Sequence, residues 1–399
     1  MAVADRDIRI LVPIAHAALG GSELALLRLI DACHDLRLRF HVWLFAAGPL
    51  QAELEKRDIT WERLPRHWLR TPWGLVALRR RLRRAVPRGD PGRPAGASEA
   101  GALVASADSG ARVAPDAVYL HAGRALALAS RWAGIPCLER INMPRTRGAR
   151  GWCRHRALDR MLTNLNARVL AVSEALRGEL IDRGVAAEKI AVLRDPVCAG
   201  RFRRPELREP LREKLGIAPD ERLVLTIGRL TEQKGYADLL AAAAACREAG
   251  EHGTRPCPRV RFLIVGAGPL SARLGERIAH WELEGTVAVR PFQDEVASLY
   301  AAADLYLQSS LWEGLAAVIV EARAAGLPIV ATDVGGTREG LRGYPAAHLI
   351  PPGDSCAMAR AVLEVLSSAP ERVDAPLPAE FSPEEVARRF DACVRQVTG

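Results

Sequence analysis

Two acidic residues, Glu313 and Glu321, are separated by seven residues in the segment LWEGLAAVIVEARAAGLPIVATDVGG, flanked by small side chains. A helix starting near Leu315 would leave the amides of Leu315, Ala316 and Ala317 unpaired at its positive end, and Gly314 would let a ligand approach the backbone. That arrangement suits a diphosphate. Glu321, two turns into an otherwise apolar helix, is costly to bury unless something hydrogen-bonds to it, and the vicinal hydroxyls of a ribose are suitable partners. Glu313, in the loop before the helix, would point at whatever is attached beyond the phosphates. The plainer alternatives are that Glu321 pairs with a nearby arginine and that Glu313 is a surface acid. A second group lies in IGRLTEQKGY, where Arg229 and Lys234 are five residues apart after a strand. Arginine offers a rigid fork and lysine a mobile point charge; together they could neutralise a diphosphate as a bond to it breaks. Only four lysines occur, at 56, 189, 214 and 234, so a lysine here stands out from generic surface charge.

Weaker signals lie elsewhere. Gly20 and Gly21 form a turn between an apolar run and a helix-like segment, either a plain tight turn or a place for an oxygen-rich ligand. His121 falls at the end of an expected strand, where doubly wound sheets place ligand contacts, although a lone histidine is also commonly structural. VGAGPL offers Gly266 and Gly268 but Ser271 where a dinucleotide fingerprint has a third small residue, and so does not read as a dehydrogenase. RRRLRR (79–84), preceded by Trp68 and Trp73, reads either as a solvated helix face or as a surface that touches lipid headgroups.

These residues need a scaffold, and the hydrophobic pattern supplies one. The runs 8–15, 39–46, 116–122, 135–141 and 167–173 are strand-like with helical patterns between them. The rhythm restarts with 222–230, 259–268, 286–292, 303–310 and 327–333. Strand alternating with helix implies an α/β fold of doubly wound sheets. A chain of 399 residues suits two such domains facing each other across a deep cleft. The expected division is 1–194, 195–381 and a terminal helix, 382–399, that crosses back to the first domain. Residues 87–115, rich in Pro, Gly, Ala and Ser, read as a flexible insertion.

Composition excludes several classes. At 49% hydrophobic and 26% charged the chain is globular, and no apolar run is long enough to span a membrane. The polar start and absence of a signal peptide point to the cytoplasm. Eight scattered cysteines without a C-x-x-C pair point to neither a disulfide frame nor zinc. The net charge of +9 divides as 32 basic against 20 acidic residues in 1–199 and 24 against 27 in 200–399. The basic half could face an anionic membrane or an acidic acceptor. No nucleic-acid motif accompanies it.

Taken in order, G-G-S-E, D-x-x-x-x-H (Asp116 to His121), A-V-S-E, G-R-L-x-x-x-K-G, V-G-x-G-P, E-G-x6-E and A-T-D-V-G-G resemble the retaining family 4 glycosyltransferases. That resemblance covers roughly 8–355 and implies the GT-B fold, a nucleotide diphosphate sugar as co-substrate, UDP-linked foremost, a hydroxyl acceptor, and neither cofactor nor metal. It would have Arg229 and Lys234 grip the diphosphate and Glu321 the ribose. Glu313, Gly314 and the amides of Leu315 and Ala316 would hold the transferred sugar and phosphate. The base would lie near Arg290, Pro291 and Phe292, with Gly20, Gly21 and Gly266 also on the donor side, and His121 would meet donor sugar or acceptor. The connector Arg194-Asp195-Pro196-Val197 and the run Arg140-Ile141-Asn142 depart from the family's usual forms, which leaves the acceptor open. An epimerase or hydrolase on the same fold, or a binding protein without activity, are the alternatives.

Overall fold

The computed structural model describes residues 6–87, 112–120, 124–143, 160–161, 163–252, 258–292, 296–368 and 371–399. The chain divides into two compact units, Met1–Pro196 with Pro383–Gly399, and Val197–Ser382.

In the first unit a seven-stranded sheet runs β3-β2-β1-β6-β7-β8-β9. It comprises β1 (Ile8–Ile14), β2 (Leu38–Leu44), β3 (Thr60–Arg63), β6 (Ala117–Leu120), β7 (Cys137–Ile141), β8 (Arg168–Ala171) and β9 (Ile190–Val192). All neighbouring strands are parallel; β1 pairs with β2 from Ile8 opposite Leu38 to Ile14 opposite Leu44. Parallel strands are covered on both faces, so β1 and β2 are almost wholly apolar. On one face the helix Gly21–Ala32 packs with the helix Pro383–Thr398, whose Val386, Phe390 and Val394 join the core. The Phe390 ring lies edge-on to Tyr119 at 5.1 Å and near Phe40 at 6.2 Å. On the other face Leu78 and Leu82 of the helix Pro72–Leu82 and Leu126 and Ala129 of the helix Arg124–Ala133 pack with Trp43 and Val118. The ends of the 87–115 segment pair as short antiparallel strands, β4 (Val86–Pro87) and β5 (Arg112–Val113); residues 88–111 lie outside the described residues.

The second unit has a six-stranded parallel sheet, β12-β11-β10-β13-β14-β15. Its strands are β10 (Glu221–Ile227), β11 (Arg259–Val265), β12 (Val287–Arg290), β13 (Leu305–Gln308), β14 (Ile329–Thr332) and β15 (Ala347–Ile350). In both sheets the strand order reverses next to the first strand, between β1 and β6 and between β10 and β13. Loops leaving adjacent strands there diverge to opposite faces, which opens a crevice at the carboxyl ends. The loop after β10 carries Arg229 and Lys234, and the loop after β13 carries Glu313. Among the described residues no helix is long and apolar enough to cross a membrane.

Candidate functional site

The crevice of the second unit is built by locking two loops together. After β10 the chain passes through a single turn, Glu232–Lys234, and Gly235 ends it with φ of +61°. A Cβ at Gly235 would lie 2.0 Å from the Ser309 carbonyl oxygen, so glycine serves both the left-handed backbone and the close approach. Ser309 Oγ donates to the Lys234 carbonyl at 2.7 Å, and the Leu311 amide donates to the Gln233 carbonyl at 2.8 Å. Thr332, at the end of β14, donates to the Ser310 carbonyl at 2.6 Å. The two loops are thereby fixed to each other and to the sheet.

Glu313 sits buried where they meet. Its Oε1 accepts from Lys234 Nζ at 2.5 Å and from Ser310 Oγ at 2.8 Å, and its Oε2 accepts from Gln233 Nε2 at 3.0 Å. Gln233 also donates to the Trp312 carbonyl at 3.0 Å. Instead of projecting from a loop, Glu313 is the counter-ion of Lys234 and the anchor of three donors. Close by, the Tyr236 hydroxyl donates to the Gly228 carbonyl at 3.1 Å, and burial, with the Glu313 charge added, pushes its phenol upward. Arg229 is exposed and makes no ion pair among the described residues. One cation at this site is therefore held in place and the other is available to solvent.

The helix that follows begins at Ala317, not Leu315, with Ala316 as its extended N-cap and no side-chain cap. The Gly336 amide donates to the Gly314 carbonyl at 2.7 Å, which pins the bend at Gly314 before the extended Ala316 leads into the helix. The donors of the first turn are thus shifted along the chain, to Ala317 and Val318. Leu315 and Ala316 are buried beside them. Glu321 is buried as well, and its Oε2 accepts from the Tyr300 hydroxyl at 2.8 Å; tyrosine stands where a plain reading expects an arginine.

Gly266 closes the end of β11. A Cβ there would lie 1.9 Å from the Gly228 carbonyl oxygen, so this glycine lets β10 and β11 approach where they enter their loops. Its amide donates to the Arg290 carbonyl at 2.9 Å, which joins the end of β12 to the same rim. Pro291 and Phe292 follow and are exposed.

In the first unit Gly20 caps the helix Gly21–Ala32, and Glu23 Oε2 accepts from the Gly20 amide at 3.1 Å. That donor is therefore already occupied by the protein. Asn142 Nδ2 donates to Ser22 Oγ at 3.2 Å, and the buried Arg140 forms a very short ion pair with Asp195. These contacts tie the ends of β7 and the connector to the glycine turn. His121 lies outside the described residues. Among the described residues no three metal-ligating side chains converge.

The residues that sequence reasoning did not single out are Gln233, Ser309, Ser310, Tyr300 and Thr332. Each is an ordinary polar type. The only available signals were the Ser-Ser pair at the end of a strand and the position of Gln233 beside Lys234.

Residues 208–376 match the family described as glycosyl transferases group 1. The amylovoran biosynthesis glycosyltransferase AmsK of Erwinia amylovora is 31% identical over 269 residues, 63% of this chain and 61% of that one. The colanic acid biosynthesis glycosyltransferase WcaL of Escherichia coli, itself designated putative, is 32% identical over 200 residues, 48% of this chain and 46% of that one. The chain thus spans about half to three-fifths of these relatives. Among solved structures, Anabaena HepE in complex with UDP and glucose superposes with a TM-score of 0.74 at 22% identity, covering 98% of each chain. A glycosyltransferase from Rickettsia africae gives 0.74 at 17% identity, covering 98% of this chain and 99% of that one. With two parallel α/β sheets the chain has the GT-B fold, and its match to the glycosyl transferases group 1 family lies within the unit that carries the locked crevice.

Proposed function

We propose that the chain transfers a hexose from a nucleotide diphosphate sugar, UDP-linked foremost, to a hydroxyl acceptor, with retention of anomeric configuration and without a metal ion. The observation that carries this reading is that the loops bearing Arg229 with Lys234 and Glu313 leave neighbouring strands β10 and β13 at the strand-order reversal, with Lys234 paired to Glu313 just before the helix Ala317–Ala324. Two cations and a helix amino end match the charge of a diphosphate. In this reading Lys234 shares its ammonium between Glu313 and the phosphates, and Glu313 with Gly314 faces the transferred sugar. Glu321, presented by its bond to Tyr300, takes the ribose hydroxyls, and the base lies along Arg290, Pro291 and Phe292. HepE, on a similar fold, binds UDP and glucose, which favours uridine; GDP and deoxythymidine diphosphate sugars rank below.

The acceptor is assigned to the first unit, where His121 meets it or the donor sugar, with Gly20 and Gly21 on the donor side. The acceptor's hydroxyl oxygen attacks the anomeric carbon from the face the phosphate leaves. The bond between that carbon and the phosphate oxygen breaks with its electron pair passing to the phosphate, and the acceptor proton passes to the departing phosphate oxygen. Arg229 and Lys234 stabilise the charge that develops there. Positioning supplies much of the remaining effect.

The test is calorimetry followed by turnover. UDP is expected to bind more tightly than its 2′-deoxy analogue, and a Glu321→Ala variant to lose that preference. Transfer is expected to persist in EDTA, and the product's anomeric coupling to match the donor's. Equal affinity for both nucleotides, or full loss in EDTA restored by Mg²⁺, would overturn the respective assignment. Conversion of donor to free sugar or epimer with every acceptor tried would point to a hydrolase or epimerase.

A further inference from the structure

The basic run 79–84 is not a uniform surface. Arg81 forms a very short ion pair with Glu62, which Arg112 also binds at 2.9 Å. Arg79 turns sideways: its guanidinium lies 4.3 Å from the Trp132 ring centroid and its Nε donates to the Trp132 carbonyl at 3.2 Å. Arg80, Arg83 and Arg84 face solvent. At about 100° per residue, Trp73 and Arg80, seven residues apart, fall on one stripe of the helix, and Arg84 follows in the turn after its end. Trp73 is 83% exposed. The backbone that carries it is held, because Thr71 Oγ1 caps the helix by accepting from the Gly74 amide at 3.1 Å.

The neighbouring helix Arg124–Ala133 continues the surface. Leu128, Arg131 and Trp132, three and four residues apart, share its outer side, with Leu128 37% and Trp132 52% exposed. The Arg79–Trp132 stack joins the two helices at this surface. Exposed Arg66 and Arg70 lie just before it, and from Arg63 to Pro87 the sequence holds eight arginines and no acidic residue.

We infer that the outer face of the helices Pro72–Leu82 and Arg124–Ala133 docks the first unit on an anionic lipid bilayer. Indole rings prefer the headgroup level of a membrane, where their apolar body and N–H are both accommodated, and arginines around them pair with lipid phosphates. A soluble polyanion would satisfy the arginines but leave Trp73, Leu128 and Trp132 in water. The bilayer takes both. This inference concerns where the protein sits and does not rest on the donor assignment.

The test uses the full chain with vesicles of phosphatidylcholine alone or mixed with phosphatidylglycerol, read by flotation and by tryptophan emission. Wild type is expected to float only with the anionic vesicles, more weakly at raised salt, with a blue shift in emission. The variant R80Q/R83Q/R84Q is expected to lose roughly fivefold in partitioning per arginine, about a hundredfold together. Trp73→Ala alone tests the apolar part and is expected to weaken partitioning and reduce the blue shift. UDP affinity and thermal unfolding of these surface variants are expected to match wild type. Absence of binding to anionic vesicles at low salt, equal binding by either variant, or equal binding to dextran sulfate with no blue shift on vesicles would each overturn the inference.

Discussion

Replacing Glu313 by glutamine tests whether the buried carboxylate holds the crevice together. If the glutamine oxygen takes the place of Oε1, it still accepts from Lys234 and Ser310, whose donors stand at 2.5 and 2.8 Å. The bond from Lys234 is then no longer an ion pair, a loss of about 1 kcal/mol for a lysine only 17% exposed. The new amide nitrogen faces Gln233 Nε2, formerly 3.0 Å from Oε2, so two donors meet with no acceptor. Gln233 can relieve this by turning its amide over, but it then gives up its bond to the Trp312 carbonyl, about 1 kcal/mol more. The sum, about 2 kcal/mol, should lower the melting temperature of a unit of this size by roughly 4–8 °C. Glu313→Ala removes all three bonds and leaves Lys234 uncompensated, so its loss should be larger, about 3–5 kcal/mol. Thermal unfolding followed by circular dichroism measures both. If Glu313→Gln melts within about a degree of wild type, the carboxylate is not the anchor of the two loops.

His41 should make stability depend on pH. Its Nδ1 meets Thr60 Oγ1 at 2.8 Å, and burial, with Arg112 and Arg81 added, lowers its pKa from 6.5 to about 3. The folded protein therefore binds fewer protons than the unfolded chain between these values. Stability is full above 6.5 and falls as pH drops toward 3, by about 1.4 kcal/mol per unit; urea unfolding at pH 7 and pH 5 should show a difference that His41→Gln lacks. Gly235→Ala combines a left-handed backbone with a 2.0 Å clash against the Ser309 carbonyl, and should cost about 3 kcal/mol or more, read as a fall in urea midpoint. Phe390→Ala should cost about 3–5 kcal/mol in the first unit and speed proteolysis there, because Phe40 and Tyr119 lose the ring packed against them.

The central strands were legible because burial on both faces writes them as unbroken apolar runs; Ile8–Ile14 was expected to within one residue, and Arg259–Val265 from its first residue though three residues too long. The edge strands Thr60–Arg63 and Ala347–Ile350 were not, since four half-exposed residues carry no such run. In the crevice, the types and spacing of Lys234 and Glu313 singled out two loops that the structure brings into contact. Their immediate partners were hidden: Glu313 and Lys234 are 79 residues apart, and it is the β10–β13 neighbourhood that brings them together. The start of the helix at Ala317 was also beyond reach, because it is set by the Gly336–Gly314 bond and not by local propensity.

The path of the chain between the units has a consequence for biosynthesis. The first unit begins at the amino-terminal side but needs Pro383–Thr398 to cover Phe40, Tyr119 and Leu170. On the ribosome, residues 197–382 emerge before that cover does. The second unit can close its own core while the first still waits with an apolar sheet face uncovered. The hydrogen bond from the Val197 amide to the Phe381 carbonyl, at 2.9 Å, brings the outgoing and returning strands of chain side by side. A finished second unit thus delivers the covering helix from an anchored point instead of a free end, which shortens the interval in which the first unit is exposed to aggregation and to chaperone capture.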